Sequence, residues 1–297
     1  MKDPTVISVS NLSKYYGGVP GVQEINFDVN RGEIFGFLGP NGAGKTSTIR
    51  MLLDLLRPTS GKIKIFGQQI ERHSQEIRKR CGYLPGSFAA YGNISGAEFL
   101  RFAAAMRRTK PKKQKSLIDR FQLSQGDLAK KIKHLSQGML QKLGIIQAFF
   151  HDPDLLILDE PTSGLDPLMQ EEFYHLLREI QQAGKTIFFS SHNLPEVEKV
   201  CHRIAIIREG KLVALETLEG LKKKKLKRLR FTLSHPVPGL ELPGASLIVQ
   251  KDLSYEFLVE GDIQMLLQRL STFPIEDLTL PETDLEEVFM AYYRSEE

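Results

Sequence analysis

Cysteine and long apolar runs are scarce in this 297-residue sequence. Cys81 and Cys201 are its two cysteines, too few for a disulfide framework, which indicates a reducing compartment. No run approaches the roughly 20 apolar residues that cross a bilayer. The first residues, MKDPTVISVSNL, also lack the apolar stretch of a signal peptide. We therefore expect a soluble, cytosolic chain that can bury a sizeable core.

A strong charge of one sign is also missing. The formal net charge is +4 and the isoelectric point is about 8.9, which is too mildly basic to indicate nucleic acid by itself. The local exception is the lysine run 222–225 within LKKKKLKRLR. This run could face nucleic acid or anionic lipid headgroups, and a solvated linker is the interpretation that we favour.

Short β-branched and aromatic runs alternate with amphipathic segments over about the first 215 residues, which predicts an α/β sheet with helices on its faces. The runs that are almost continuously apolar, as strands covered on both sides are, lie at 33–38, 155–158, 186–191 and 203–207. Between about 95 and 150 the pattern becomes helical, in segments 97–107, 115–123 and after Ser136. This predicts a helical insertion in the α/β body.

The composition changes after Leu215. A Pro- and Gly-rich stretch at 235–245 follows the basic run. Then come two strand-like segments, a helix, a third strand-like segment and a closing helix, at 246–250, 255–260, 262–270, 275–280 and 284–293. We expect a domain at 1–215, with its helical insertion at about 87–150, and a small C-terminal α+β domain at 216–297.

The stretch GPNGAGKT fits the pattern of a phosphate-binding loop. An apolar strand runs into it, and a helix leaves it with Ile49, Leu52, Leu53 and Leu56 on one face. Glycines let backbone N–H groups face phosphate oxygens, and the helix N-terminus adds its positive dipole end. The residues expected to bind nucleotide here are Gly39, Pro40, Asn41, Gly42, Ala43, Gly44, Lys45, Thr46 and Ser47. Among them, Lys45 would reach the β- and γ-phosphates and Thr46 would ligate Mg²⁺.

Polar side chains stand where two buried strands end, at the edge where open α/β sheets bind ligands. In LLILDE, Asp159 would hold Mg²⁺, directly or through water, and Glu160 would polarise the attacking water. In SSHN, His192 is placed to contact the γ-phosphate. Its position at a strand end distinguishes it from His73, His151 and His202.

The order of these motifs resembles that of the ATP-binding-cassette (ABC) ATPases over about residues 5–215. GPNGAGKT is similar to their Walker A, LSQGM to their LSGGQ signature, LLILDE to their Walker B, SGLD to their D-loop and SSH to their switch histidine. The resemblance implies a P-loop ABC ATPase domain, with a mixed sheet and a helical subdomain, that hydrolyses ATP with Mg²⁺. It also implies two cassettes docked head to tail, with Ser136 and Gly138 of one serving the ATP of the other.

Further site residues follow from the resemblance. KYYGG aligns with the adenine-stacking loop, so Tyr16 is the first choice for the ring and Tyr15 the second. Asp166 precedes Pro167 as a helix N-cap, and the family also sends this loop across the dimer interface. One position departs from the pattern: YLPGS has Gly86 where most members have a glutamine. Backbone, water or Ser87 substitutes for that glutamine, or the loop serves only to couple the ATPase to its partner.

The resemblance implies an ATPase subunit that powers a separately encoded transmembrane permease from the cytoplasmic face of the membrane. The second cassette would be another copy or a homologue. The segment after 216 resembles the C-terminal domain of bacterial export-type ATPases, which favours export over uptake. The alternative is a soluble ABC ATPase acting on nucleic acid or a protein assembly, although no nucleic acid is expected. A protein that only binds nucleotide would need a damaged Lys45 or Glu160, and both are intact.

Overall fold

The computed structural model describes residues 5–88, 92–223, 227–237, 240–259 and 263–280. The chain divides into two compact units, Met1–Leu218 and Glu219–Glu297. The predicted closing helix at 284–293 and two lysines of the basic run, Lys224 and Lys225, lie outside the described residues.

The first unit contains two sheets. Its strands are β1 (Thr5–Tyr16), β2 (Val19–Asn30), β3 (Ile34–Leu38), β4 (Ser60–Ile65), β5 (Gln68–Gln69), β6 (Cys81–Leu84), β7 (Leu155–Asp159), β8 (Thr186–Ser191), β9 (Arg203–Arg208) and β10 (Lys211–Thr217). One sheet is antiparallel, in the order β2-β1-β4-β5. The other has the order β10-β9-β3-β8-β7-β6, with every pair parallel except β10 with β9.

Eight α-helices precede the second unit among the described residues: α1 (Lys45–Leu52), α2 (Ile70–Lys79), α3 (Gly96–Arg107), α4 (Gln114–Arg120), α5 (Gln125–Ala129), α6 (Gln137–Phe149), α7 (Pro167–Gln182) and α8 (Leu194–Val200). A short 3₁₀ helix, Ile132–His134, comes just before α6. Helices α3 to α6 all fall between β6 and β7, where the sequence predicts a helical insertion.

The main core lies between the two sheets. Phe27 of β2 contacts Phe35 and Phe37 of β3 and Phe188 of β8, with ring centroids 5.6–6.0 Å apart. Every residue of β3, β7 and β8 is buried, which is why these strands lack the alternation of a half-exposed strand. Because the strands are parallel, the carboxyl ends of β6, β7, β8 and β3 meet at one edge of the sheet.

Two predicted helices end earlier than the sequence suggests. The helix at 115–123 ends at Arg120, and α1 ends at Leu52, so Leu53 and Leu56 lie beyond it. Just after α1, Asp54 adopts φ +55°, and Leu55 N–H donates to Arg50 O at 2.8 Å. This is a Schellman ending, which normally carries glycine at the left-handed position. With aspartate there, and Gln122 at φ +54° in the equivalent place after α4, the sequence lacks the glycine that would mark these two helix ends.

The second unit is a small α+β structure. Its elements are α9 (Leu218–Lys223), which begins at the unit boundary, β11 (Lys227–Leu233), β12 (Ala245–Lys251), β13 (Ser254–Val259), α10 (Ile263–Leu270) and β14 (Ile275–Thr279). The strands form an antiparallel sheet in the order β12-β13-β11-β14. Lys222 and Lys223 of the lysine run end the helix α9. The basic run continues into β11, an inner strand whose Leu229, Phe231 and Leu233 belong to the core.

Candidate nucleotide site

The phosphate-binding loop joins β3 to α1 at the common edge of the parallel strands. Gly44 precedes the helix at φ +107°, a conformation that favours glycine, and a Cβ there would lie 2.6 Å from Gly21 O. A Cβ on Gly39 would lie 2.3 Å from Ile207 O. Backbone packing therefore requires glycine at both positions.

Lys45 is held tightly at the start of α1. Its side chain is 5% exposed, and its Nζ donates to Gly39 O at 2.7 Å and to Pro40 O at 3.1 Å. The same Nζ lies 3.2 Å from Glu160 Oε1. The ammonium is therefore fixed over the loop, with the carboxylate as its counter-charge.

Asp159 ends β7 next to the helix start. Its side chain is 2% exposed; it accepts from Thr46 Oγ1 at 2.8 Å on one oxygen and from Ser190 Oγ at 2.6 Å on the other. A hydroxyl and a carboxylate are the oxygen donors that Mg²⁺ prefers. Within the described ranges no group of three or more His, Cys, Asp or Glu side chains could hold a metal ion. Mg²⁺ bound with phosphates needs only one or two protein ligands, so Thr46 and Asp159 fit it.

Glu160 connects Lys45 with His192. Its Oε2 lies 2.7 Å from His192 Nδ1, and its backbone adopts φ +46°, which is uncommon for a residue other than glycine. The backbone N–H donates to Ser190 O at 3.1 Å. This turn carries the carboxylate out of the buried strand toward the loop, where Glu160 is about a quarter exposed (23%).

Tyr16 stands at the end of β1 beside the loop. Its Oη is 3.0 Å from Ser47 Oγ, and a Cβ on Gly21 would lie 2.7 Å from its ring. A cavity of about 250 Å³ opens here, lined by Tyr16, Gly21, Asn41, Gly42, Gly44, Lys45, Thr46, Ser47 and Glu160. Tyr16 therefore lies beside the phosphate-binding residues; Tyr15 does not line this cavity.

Gly86 lies in a second cavity beside Asp159 and Glu160, of about 310 Å³. This cavity is lined by Asn41, Thr46, Arg50, Tyr83, Pro85, Gly86, Ser87, Asp159 and Glu160. A Cβ on Gly86 would be 3.4 Å from the Asp159 carboxylate. Burial, with the Asp159 charge as the second cause, raises the pKa of Tyr83 to about 12. Tyr83 therefore stays a neutral hydroxyl at physiological pH, and Ser87 provides a second one.

The signature residues lie apart from both cavities, neither of which Ser136 or Gly138 lines. Ser136 is the N-cap of α6, and its Oγ accepts from Met139 N–H at 3.2 Å. A Cβ on Gly138 would lie 2.8 Å from Gly164 O. Asp166 caps α7 as predicted, accepting from Met169 N–H at 3.0 Å.

Sequence reasoning missed two side chains at this edge. Ser190 bonds Asp159, although the SSH motif drew attention only to its histidine. Gln141 on α6 is buried and donates to Pro161 O at 2.7 Å. Gln141 lies one turn after Gln137 on α6, whose other buried residues include Leu143 and Ile145. A polar residue within such an apolar run was the signal that could have identified it.

These features are those of a P-loop nucleotide hydrolase: a glycine-rich loop at a helix start, a lysine over that loop, and a Thr–Asp pair and a glutamate–histidine pair at the strand ends. Residues 22–163 match the sequence profile of the family described as "ABC transporter". The chain is 41% identical over 231 residues to a bacitracin transport ATP-binding protein of Bacillus licheniformis, covering 77% of this chain and 76% of that one. The chain belongs to the ATP-binding proteins of ABC transporters.

Two further comparisons extend this result. An uncharacterized ABC transporter ATP-binding protein of Bacillus subtilis, YcbN, is 32% identical over 293 residues, covering 97% of this chain and 93% of that one. A solved structure of an ATP-binding subunit of an ABC transporter superposes with a TM-score of 0.68 at 31% identity, covering 73% of this chain and 92% of the other. The predicted family, mixed α/β cassette fold and ATPase activity are confirmed. In the part of the chain that is described, no helix is both long and apolar enough to span a membrane.

Proposed function

We propose that this chain is the ATP-hydrolysing subunit of an exporter, and that it powers a separately encoded transmembrane permease. The observation that carries the proposal is the position of Glu160. Its carboxylate lies between Lys45 and His192, at 3.2 and 2.7 Å, and it lines both cavities beside the phosphate-binding loop. A carboxylate there can accept a proton from a water that attacks the terminal phosphate.

The other site residues divide the work of holding ATP. The loop residues and Lys45 bind the phosphates, and Tyr16 stacks on the adenine. Thr46 and Asp159 hold Mg²⁺, which when bound neutralises phosphate charge. When ATP binds, the Lys45 ammonium leaves the Glu160 carboxylate and pairs with the triphosphate. The carboxylate is then free to orient water. His192 keeps Glu160 in place and contacts the γ-phosphate.

A second cassette completes each site. Ser136 and the N-terminal turn of α6 present hydroxyl and backbone donors but line neither cavity of their own chain. A helix N-terminus of this kind suits an anion supplied from outside the chain. The proposed active form is therefore a dimer, of two copies or of this chain and a homologue, in which each α6 binds the neighbour's ATP.

The permease docks on the helical insertion, so the chain works at the cytoplasmic face of the membrane. Phe102 and Met106 of α3 lie four residues apart on one face and are exposed to 49% and 69%. Apolar side chains exposed together indicate an interaction surface. The name of the Bacillus licheniformis relative, a bacitracin transport protein, supports export of a drug or antibiotic.

The test combines ATPase assays with membrane flotation. Hydrolysis by the isolated chain should rise more steeply than linearly with protein concentration, because each site needs two chains. Coexpression with a candidate multi-span permease should move the chain to the membrane fraction and raise its specific activity. An unrelated multi-span protein is the control. Stimulation by DNA or RNA without membrane association would contradict the proposal and support a soluble ABC ATPase.

A further inference from the structure

Gln141 links the signature helix to the loop that carries Glu160. It lies on α6, 5% exposed, and its Nε2 donates to Pro161 O at 2.7 Å. Proline has no N–H, so this carbonyl is the only backbone hydrogen-bonding group that Pro161 has. The bond therefore fixes the peptide group that joins Pro161 to Thr162, one residue after Glu160.

The backbone at Glu160 needs such support. Its φ of +46° is costly for a residue with a side chain. On one side, Glu160 N–H is held by the main-chain and side-chain oxygens of Ser190, at 3.1 and 3.2 Å. On the other side, Ser163 N–H donates to Glu160 O at 3.2 Å, and Gln141 donates to the carbonyl of the next residue, Pro161.

A second residue of α6, one helical turn before Gln141, also contacts this loop. Gln137 packs against the same loop, with its Cγ 3.0 Å from the place that a Cβ on Gly164 would take. Gln137 and Gln141 share a face of α6 because they are four residues apart. The start of α6 thus holds the 161–164 segment at two points.

We propose that Gln141 is a positioning residue for Glu160. The inference rests on the proposed function, in which α6 binds the neighbour's ATP and Glu160 acts on the ATP of its own chain. Through Gln141, engagement of α6 by the neighbour's nucleotide sets the orientation of the Glu160 carboxylate. Each ATP therefore promotes hydrolysis at the other site.

The first experiment replaces Gln141 by methionine, which keeps the length of the side chain and removes the donor. MgATP affinity should stay within about twofold, since the phosphate-binding loop is untouched. The kcat should fall about 10- to 100-fold, the effect expected when a reacting group is displaced by about 1 Å. Gln181→Met is the matched control. Gln181 Nε2 also donates to a backbone carbonyl, Gly32 O, at 2.6 Å. Gly32 precedes β3, so this bond lies at the opposite end of the sheet from the site. The kcat of Gln181→Met should be unchanged.

The Glu160→Gln background separates positioning from folding. Once the carboxylate is gone, Gln141→Met should not slow the residual hydrolysis further. An equal fold loss in both backgrounds would overturn the proposal. If Glu160→Gln itself kept full turnover, the proposed function would fail instead, so the two failures differ.

A second variant uses pH. Gln141→Glu has nearly the same shape, but its carboxyl can donate to Pro161 O only when protonated. Its kcat relative to the wild type should therefore rise as the pH falls, while MgATP affinity stays level. A pH-independent ratio, or loss of MgATP binding in both Gln141 variants, would assign Gln141 to folding alone.

Discussion

In the proposed function, Glu160 affects both ATP binding and hydrolysis. Its carboxylate pairs with the Lys45 ammonium at 3.2 Å, so it would compete with the triphosphate for that charge. Glu160→Gln should therefore leave ATP affinity unchanged or raise it, while turnover falls about 10²–10⁴-fold because the proton acceptor is lost. Single-turnover hydrolysis and titration with a fluorescent ATP analogue measure the two effects.

Lys45→Ala should have the opposite effect on binding. It removes the positive charge proposed to face the phosphates, so nucleotide affinity should fall, and this loss should be measurable before any change in the rate of the chemical step. Weaker binding in Glu160→Gln than in the wild type would contradict the competition between the carboxylate and the phosphates.

At the scale of elements, the half-buried His151 joins the helical insertion to the sheet. Arg107 of α3 donates to Cys81 O on β6 and lies 3.0 Å from His151 Nε2, just after α6. The same nitrogen also lies 3.2 Å from Cys81 O. Burial first, and the Arg107 charge second, lower the pKa of His151 to about 4.

The sign of the resulting pH dependence follows from linkage. Above pH 6.5 the ring is neutral in both states and contributes no slope. Between pH 6.5 and about 4 the unfolded chain binds a proton that the folded chain does not. The free energy of unfolding therefore decreases as the pH is lowered through this range. After a discount for partial solvent exposure we expect a loss of about 1–2 kcal/mol.

Urea unfolding measured across this pH range tests the prediction. His151→Gln should flatten the slope, because it removes the titrating ring. His73→Gln is the matched control, since His73 is exposed, and it should keep the wild-type slope. Identical slopes in the wild type and His151→Gln would refute the assignment.

For the whole molecule, the division into two units predicts an independent cassette. Every residue that lines the two cavities at the phosphate-binding loop belongs to the first unit, Met1–Leu218. A chain ending at Leu218 should bind MgATP within about twofold of the full-length affinity, because it keeps every residue that lines these two cavities. Equilibrium titration of both proteins checks this, with Lys45→Ala in the short chain as the control for specific binding. A tenfold loss would show that the second unit supports the nucleotide site.

The sequence by itself determined the strand, loop and helix around Lys45 and the positions of Asp159, Glu160 and His192 at strand ends. These features are local: periodicity identifies buried strands, and parallel strands bring their carboxyl ends to one edge. The N-caps Ser136 and Asp166 were equally visible, because a cap depends on residues three positions apart.

Tertiary structure alone decided the contacts that hold this site together. Ser190 reaches Asp159 from 31 residues away, and Gln141 reaches Pro161 from 20. The early ends of α1 and α4 depend on Asp54 and Gln122, which adopt the left-handed conformation although they are not glycine. Single-sequence patterns register neighbours along the chain, whereas these bonds form only when separate elements pack and leave a buried polar group to be paired.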